Sequence, residues 1–238
     1  DTASDIWNNI FINVDCDGSS LQQPQGFGDN LNGSQKNRFY HNIAYDGDGG
    51  TDGFVGYGFG LGSRYYASAG TDVSNNIAVL NEQYTSERYQ YYIHEDSTGS
   101  VCSYNLGWHT TGTDKVFHVS KDSGSDLRYT ASEANDNDPA GVTVEGNEQA
   151  SPNWVGGTLP TSMVNGVPNT NYFALTQATL GAVKATGNSL SGEAGWGYDE
   201  SAAKFNLDIT GKPRLGWSMG PYEWGGSITA SGTITIEP

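Results

Sequence analysis

Three acidic side chains are the first candidates for chemistry in this sequence. Asp15, Asp46 and Glu82 follow three evenly spaced asparagines by six, four and six residues. If the segments stack in parallel, these carboxyls line one groove at one or two strand spacings, roughly 5 to 10 Å. Carboxyl pairs that hydrolyse glycosidic bonds lie about 5 to 9.5 Å apart. The spacing therefore allows glycoside hydrolysis, although any stacked acidic pair meets the same criterion.

A second chemical signal is the acidic, glycine-rich segment 46–53. Asp46, Asp48 and Asp52 place carboxylate oxygens at alternating positions, and oxygen ligands of this kind bind Ca²⁺. Asp15 and Asp17 on the neighbouring repeat could add ligands. The segment lacks the twelfth-position glutamate of an EF-hand, so the alternative to a calcium site is a flexible Asp-Gly turn.

Aromatic residues concentrate in two segments, 46–66 and 84–92, which lie between the predicted strands. Tyrosine rings are suited to stacking on sugars. We therefore predict that these segments form the surface for a polysaccharide or a cell-surface glycan, with these contact residues: Tyr57, Tyr65, Tyr66, Tyr84, Tyr89 and Tyr91.

Elimination chemistry on an acidic polysaccharide requires a base such as Lys, Arg, His or Tyr. The first half of the sequence carries such groups at scattered positions, which are Lys36, Arg38, Arg64, Arg88, Lys115, His41, His94, His109 and His118. A phosphate-binding loop with lysine is missing from the sequence. Whether the protein is an enzyme stays open.

The elements that must position these residues follow from a repeat. Asn9, Asn42, Asn76 and Asn105 each precede Ile or Leu and are 33, 34 and 29 residues apart. Each pair opens a short apolar run typical of a strand, and a period of this size indicates stacked units. The asparagines are best explained as turn residues, since Asn tolerates the left-handed conformation and its amide can bond to the next unit.

Aligning the four asparagines places residues of similar type in columns. We expect two columns to face the core, Ile10, Ile43, Ile77, Leu106 and Ile12, Tyr45, Val79, Trp108. The column between them should face outward, because side chains alternate along a strand. Its members are Phe11, Ala44, Ala78 and Gly107.

Composition agrees with an all-β protein outside the cell. The 238 residues include 33 Gly and 14 Tyr, and the formal net charge is −16. Such an acidic protein is a poor partner for nucleic acid, and no apolar run is long enough to insert into a membrane. We expect an extracellular protein that is secreted or lies on a cell or virion surface.

The sequence predicts a single domain over residues 1–226, with repeat coils at 5–120, a long loop at 120–142 and closing coils at 143–226. Residues 227–238 are expected to be a terminal strand or a linker. Because the repeat begins almost at Asp1, we expect the chain to be the C-terminal part of a longer protein. Cys16 and Cys102 fall on units too far apart for a disulfide, which predicts two free, buried thiols.

The closing segments carry their own motifs, namely SPNWV at 151–155, NYFAL at 171–175, DITGKPR at 208–214 and MGPYE at 219–223. In these motifs the chain resembles the C-terminal segment of right-handed parallel β-helix proteins of the pectate-lyase-like superfamily, including bacterial and phage surface proteins. It departs from them at 180–184, where LGAVK replaces Ser-Pro-Ala-Ile-Asp.

The resemblance implies a right-handed parallel β-helix. It also implies that Arg214 pairs with a carboxylate, such as Asp208 or Glu223, to lock the terminal coil. Trp196, Trp217, Tyr222 and Trp224 would then close the exposed end of the core, with sugar stacking as the alternative. The activities of such proteins vary, so the resemblance supplies no reaction.

Two functions fit these patterns. The first is a structural or attachment module, such as a spike, fibre or decoration component, that contacts glycans, copies of itself or neighbouring structural proteins. The second is a polysaccharide lyase or glycoside hydrolase on the same fold. Carboxylates that converge in a groove beside aromatic residues would favour the enzyme.

Overall fold

The chain is described in a computed structural model over residues 4–12, 25–29, 37–46, 57–62, 67–80, 89–109, 115–139, 141–155, 163–164, 167–168, 173–176, 187, 207–214, 217–224, 227–228 and 234–235.

Three strands form each of four successive passes. In chain order they are β1 (Asp5–Trp7), β2 (Ile10–Ile12), β3 (Gln25–Asp29); β4 (Arg38–Tyr40), β5 (Ile43–Asp46), β6 (Tyr57–Leu61); β7 (Asp72–Ser74), β8 (Ile77–Leu80), β9 (Tyr89–His94); β10 (Val101–Ser103), β11 (Leu106–His109) and β12 (Phe117–Ser120).

A short insertion separates the fourth pass from a fifth. The insertion holds β13 (Leu127–Tyr129) and α1 (Ala131–Asp136), and the fifth pass begins with β14 (Thr143–Glu145) and β15 (Glu148–Gln149). Two short antiparallel pairs follow, β16 (Met163–Val164) with β17 (Val167–Pro168), and β18 (Ser227–Ile228) with β19 (Ile234–Thr235).

The strands form three five-stranded sheets. Each sheet receives one strand from each of the first four passes; the fifth strand comes from the fifth pass in sheets A and B and from the insertion in sheet C. Sheet A has the order β1-β4-β7-β10-β14, sheet B β2-β5-β8-β11-β15 and sheet C β3-β6-β9-β12-β13. Neighbouring strands are parallel except for the β12–β13 pair. The chain is thus all-β with mostly parallel strands, which is consistent with the predicted parallel β-helix.

The register confirms the alignment that the asparagines predict. Ile10 pairs with Ile43, Ile43 with Ile77, and Ile77 with Leu106. The column continues from Leu106 to Glu148 of the fifth pass. The repeat therefore extends beyond the four units that the sequence shows.

The predicted orientation of these columns is wrong. Ala44 and Ala78 lie in the apolar core between the three sheets. Ile43 and Ile77 pack on the opposite face of sheet B, against a second apolar cluster that contains Met219. Both faces of sheet B are buried. The apolar character of a residue in this sheet therefore does not show whether its side chain faces the core between the sheets or the outer cluster.

Close packing explains why the inner column is small at Ala44, Ala78 and Gly107. A Cβ at Gly58 of sheet C would lie 2.7 Å from the Cβ of Ala78, and one at Gly107 would lie 3.0 Å from the Cβ of Val116. Cβ atoms do not approach this closely without a shift of the neighbours. Sheets B and C therefore approach each other where alanine and glycine line the core.

Sheet C fills the wider part of the core with a stack of aromatic rings. The centroids of Phe27 and Phe59 are 5.0 Å apart, those of Phe59 and Tyr91 5.6 Å, and those of Tyr91 and Phe117 5.0 Å. These rings are buried, and one residue per pass continues the stack. Offset aromatic packing of this kind stabilises the register of neighbouring strands.

The turn from sheet A to sheet B uses a left-handed residue in each pass, but that residue precedes the asparagine. Asn8, His41, Asn75, Tyr104 and Gly146 have φ values of 56°, 55°, 59°, 53° and 63°. The expectation that the repeated asparagine itself adopts this conformation is wrong. The contribution of the asparagine is instead the hydrogen bonding of its side chain.

The asparagine side chains form a continuous hydrogen-bonded ladder. The backbone N–H and the Nδ2 of Asn42 both donate to Oδ1 of Asn76, at 2.9 and 3.1 Å. The Nδ2 of Asn76 donates onward to Oδ1 of Asn105 and back to the carbonyl of Phe39. The same contacts link Asn9 to Asn42 and Asn105 to Asn147. The ladder therefore joins all five passes.

Residues 120–142, expected to be a loop, contain β13 and the short helix α1. The helix begins with a capping box, in which Thr130 Oγ1 accepts from the Glu133 N–H and Glu133 accepts from the Thr130 N–H. A hydrogen bond from Lys115 helps to lower the Glu133 pKa to about 2. Ala131 and Ala134 are buried in the core between the sheets, so the helix covers the end of that core.

Helix α1 also terminates the ladder. Asn135 Oδ1 accepts from the backbone N–H and the Nδ2 of Asn147, at 3.1 and 3.0 Å, and its Nδ2 donates to the Asn147 carbonyl at 3.0 Å. Within the ladder, the Oδ1 of each asparagine accepts hydrogen bonds from the asparagine of the preceding pass. Asn135 Oδ1 plays the same part for Asn147, the last asparagine of the ladder.

The C-terminal segment does not close the end of the core as the resemblance implies. We call residues 207–214 and 217–224 the C-terminal strap. Its Met219 and Tyr222 pack with Trp154 and Phe173 on the outer face of sheet B, and Trp224 packs against the same cluster. The ring centroids of Trp217 and His41 lie 5.9 Å apart, with the ring planes tilted by 34°. Trp196 lies outside the described residues.

The cysteine prediction is tested at one position. Cys102 is a free thiol, buried in the core, and burial raises its pKa well above the ordinary value. Such a thiol is unreactive, since the thiolate is the reactive form. Cys16 lies outside the described residues.

Candidate functional site

The acidic residues proposed for catalysis and calcium binding fall almost entirely outside the described residues. These are Asp15, Glu82, Asp48 and Asp52. The backbone of Asp46 ends strand β5, but its side chain is not described. Hydrolysis by this carboxylate group and calcium binding to segment 46–53 therefore stay predictions.

Three of the six tyrosines proposed for glycan contact are buried. Tyr57, Tyr89 and Tyr91 are 2, 5 and 1% exposed, so their ring faces do not form an open platform. Tyr91 belongs to the aromatic stack, and its hydroxyl donates to the carbonyls of Leu106 and Asn76 at 2.9 and 3.3 Å. Burial raises the Tyr91 pKa well above its ordinary value. Tyr65, Tyr66 and Tyr84 lie outside the described residues.

The other two buried tyrosines belong to a polar cluster on the outer face of sheet C. Strand β9 turns Tyr91 and Ile93 toward the core, so the alternation directs Tyr92 outward. His118, the register partner of Tyr92, lies beside Tyr57, Tyr89 and Tyr92 with ring centroids 4.8 to 5.9 Å away. This cluster holds an acid–base arrangement that the sequence did not reveal.

Within the cluster, Tyr57, His118 and Asp126 form a hydrogen-bonded relay. His118 Nε2 lies 3.0 Å from Asp126 Oδ2, and His118 Nδ1 lies 3.2 Å from the Tyr57 hydroxyl. A carboxylate only accepts hydrogen bonds, so Nε2 donates to Asp126 and the neutral ring accepts the Tyr57 O–H at Nδ1. The arrangement can move a proton away from the phenol.

A cation lies next to this relay. Arg128 of β13 is the antiparallel partner of His118, and its guanidinium lies 5.7 Å from the ring centroid of Tyr89. Cross-strand partners share a face of the sheet. Asp126 and Arg128 are exposed, whereas His118 is 4% exposed, so the charged ends of the cluster contact solvent and the reactive ring atoms do not.

A second cluster, His94, Asp96 and Asp122, brings three metal-ligand atoms within 4.8 Å of one another. The Asp96 N–H donates to His94 Nδ1 at 3.2 Å. His94 Nε2 lies 3.2 Å from Asp122 Oδ1. A metal ion at Nε2 would have to displace this hydrogen-bonded contact.

An open pocket lies between the end of sheet C and the C-terminal end of α1. We call it the α1 pocket; its volume is about 450 Å³. It is lined by residues of the turn after β9, of β12 and β13, and of the chain that follows α1, including Glu95, Asp96, Lys121, Tyr129 and Asp138. Most of these residues lie in the segment 120–142, which was predicted to be a long loop.

The terminal motif, for which both a catalytic and a structural role were considered, forms a buried polar network. The Asp208 carboxylate accepts from the backbone N–H groups of Thr210, Lys212 and Glu223 at 2.8, 2.8 and 3.1 Å. Arg214 Nη1 lies 3.7 Å from Glu223 Oε2. The implied pairing of Arg214 with a carboxylate is confirmed, and the network organises the strap.

Histidine 41 joins the strap to the turn between sheets A and B. Its Nδ1 lies 3.1 Å from the Ser218 carbonyl and its Nε2 lies 3.3 Å from the Asn75 amide nitrogen. Nδ1 therefore donates and Nε2 accepts, which requires the neutral ring. Complete burial, and next the charge of Arg214, hold the His41 pKa well below its ordinary value.

Acidification is expected to weaken this junction. Below pH about 6.5 the unfolded chain protonates His41 while the folded chain does not, so stability falls as the pH drops. A difference of one bound proton changes the free energy of unfolding by about 1.4 kcal/mol per pH unit, or by about 2 kcal/mol between pH 6.5 and 5. We expect His41→Asn, which tolerates the positive φ, to lose this part of the pH dependence in denaturant unfolding at pH 7.5 and 5.0. If acidification lowered the stability of the wild type and of His41→Asn equally, the buried neutral His41 would not be the source of this pH dependence.

Comparison with protein-family models, with curated proteins and with solved structures finds no match to this chain. No helix within the described parts of the chain is long and apolar enough to cross a membrane.

Proposed function

We propose that the chain is a right-handed parallel β-helix of the pectate-lyase-like kind. In this proposal it serves as a structural and attachment module, such as a spike, fibre or decoration component, on an extracellular or virion surface and recognises glycans there. The single observation that carries this proposal is the asparagine ladder, which runs through all five passes and is fastened from the side by the strap.

The strap binds the first three passes at their common turn. Arg214 donates to Asn8 Oδ1 at 2.8 Å, His41 donates to Ser218, and the Gly220 N–H donates to the Asn75 carbonyl at 2.6 Å. These contacts cross at least 140 residues of sequence, so none of the first three passes can separate from the strap without breaking one of them. Resistance to local opening is a useful property for a protein exposed to proteases.

Charge supports the same proposal. A net charge of −16 keeps an exposed protein soluble and repels other acidic surfaces. Copies of the chain or neighbouring structural proteins would have to meet it through surfaces that compensate for this charge, while uncharged glycans would meet no repulsion.

A second candidate, a polysaccharide lyase or glycoside hydrolase, is favoured by the relay. With its proton moved toward His118 and Asp126, the Tyr57 phenolate could accept the proton next to a uronate carboxylate, and Arg128 could offset the charge of that carboxylate. The 2% exposure of Tyr57 weighs against direct contact with a polymer, so this activity ranks second.

Electrophoresis in native gels that contain one polysaccharide each separates the two functions. We expect at least one uncharged polysaccharide to slow the chain relative to a gel without polysaccharide, with no release of reducing ends or of unsaturated uronates. Product release that Tyr57→Phe abolishes would favour the enzyme. Unchanged migration in every gel would contradict glycan recognition.

A further inference from the structure

The α1 pocket brings several unpartnered polar groups together along one cavity. The carboxylates of Asp96 and Asp138, the Lys121 ammonium and the Tyr129 hydroxyl make no hydrogen bond or ion pair within the described chain. By contrast, each inner asparagine of the ladder uses both its amide oxygen and its amide nitrogen. Unused donors and acceptors that line one cavity indicate a place for a polar ligand.

One carboxylate of the pocket is held in place. Glu95 Oε1 accepts from the Asp122 N–H at 2.8 Å, and the Glu95 N–H donates to the Ser120 carbonyl at 3.0 Å. The second carboxylate oxygen of Glu95 has no partner in the described structure. A fixed carboxylate with one open oxygen is ready to accept a hydroxyl donor without a large entropic cost.

The pocket also has an apolar side. Val119, Leu127, Tyr129 and Pro139 contribute to its lining, and Val119 is buried while the other three are half-buried. An aromatic ring beside aliphatic groups suits the C–H face of a pyranose, whose hydroxyls point sideways toward carboxylates and ammonium groups. The volume of about 450 Å³ lies within the range of small-ligand pockets, roughly 300 to 1,000 Å³.

Charge selects among sugars. Glu95, Asp96 and Asp138 supply three negative charges to the lining, and Lys121 supplies one positive charge. An acidic sugar would meet repulsion here and from the net charge of the whole chain. Hydroxyl groups and amino groups, in contrast, find acceptors.

We propose that the α1 pocket binds one hexose unit of a glycan that carries no acidic group. This inference rests on the proposed glycan recognition and assigns it to the α1 pocket in place of the buried Tyr57, Tyr89 and Tyr91. The pocket recognises neutral and amino sugars through Glu95, Asp96 and Asp138, with Tyr129 as the stacking ring.

The test uses the whole chain and three probes, a panel of neutral hexose oligosaccharides, chitosan oligosaccharides and oligogalacturonate, with binding followed by calorimetry and by ligand-observed NMR. We expect a neutral or amino probe to bind and oligogalacturonate not to bind. Asp96→Asn and Asp138→Asn each remove an exposed carboxylate, and each should weaken binding by about ten-fold, because hydrogen bonds to charged groups are worth about 1.5 to 3 kcal/mol. Asp136→Asn, an exposed change outside the pocket lining, should leave binding unchanged.

Each outcome separates this inference from the function on which it rests. Binding that survives both pocket variants, or that Asp136→Asn weakens equally, would overturn the pocket while leaving glycan recognition intact. Binding of oligogalacturonate alone would overturn the ligand class. If polysaccharide gels slow the wild-type chain and no probe binds the pocket, the inference fails alone; if the gels fail as well, the proposed function fails with it.

Discussion

Replacing Asn76 with alanine is expected to lower the free energy of unfolding by about 4 kcal/mol, because buried partners left without a hydrogen bond cost about 1 to 3 kcal/mol each. The Asn76 side chain accepts from the N–H and Nδ2 of Asn42 and donates to Phe39, Ser74 and Asn105. Asn76 and Asn42 are 0% exposed, so water cannot replace these contacts. Guanidinium unfolding followed by circular dichroism measures the change.

Asn9→Ala is the matched control, since it makes the same substitution at the open end of the same ladder. Asn9 is exposed, and among the described residues its side chain donates only to Trp7 and Asn42. We expect this change to cost about 1 kcal/mol or less. Asn76→Asp should be as harmful as alanine, because it presents an oxygen to the carbonyls of Phe39 and Ser74 and buries a charge. Equal costs at positions 76 and 9 would contradict a cooperative ladder.

The sequence revealed the ladder but not its full extent. Four asparagines at intervals of 29 to 34 residues correctly predicted the register of sheet B. Asn147 escaped notice because β13 and α1 lengthen the interval after Asn105 to 42 residues. The Gly146-Asn147-Glu148 sequence carries the local signal, a left-handed glycine before the asparagine, but the apolar residue that marks the other units is replaced by glutamate.

The direction of side chains could not be predicted from apolar character. The C-terminal strap covers the outer face of sheet B, so Ile43 and Ile77 are as buried there as Ala44 and Ala78 are inside. Residue size carried the missing information at Ala44, Ala78 and Gly107, because only small residues fit where sheet C approaches sheet B. A long-range covering segment of this kind leaves no trace in the local pattern.

The candidate sites were hidden for related reasons. Tyr91 and Tyr92 are adjacent, yet one stacks in the core and the other joins the polar cluster, and composition alone does not separate them. The β12–β13 hairpin brings Asp126 to His118 across eight residues, within a segment that looked like a polar loop. The α1 pocket depends on the same hairpin and on the helix that follows it. Its capping box, Thr130 with Glu133, was the available sequence signal.

Exchanging Arg214 for methionine is expected to be as costly as breaking the ladder. The guanidinium donates to Asn8, Ser218, Gly220 and Pro221 at 2.8 to 3.3 Å. Burial lowers the Arg214 pKa to about 10, although Glu223 and Asp208 oppose this shift. Methionine fills similar space but leaves the Glu223 carboxylate buried without its cation, and breaking a buried pair costs about 3 to 5 kcal/mol. Guanidinium unfolding and limited proteolysis of the strap would record the loss.

Lys212→Met is the control for this change, because Lys212 is an exposed residue of the same strap and should cost less than about 0.5 kcal/mol. Adding Glu223→Gln to Arg214→Met removes the unpaired charge, so the double variant should lose less stability than the sum of the two single variants. Strict additivity, or a cost at Arg214 no larger than at Lys212, would mean that the apolar contacts of Met219 and Tyr222 hold the strap without the ion pair. The ladder would then be the main restraint on the stacked sheets.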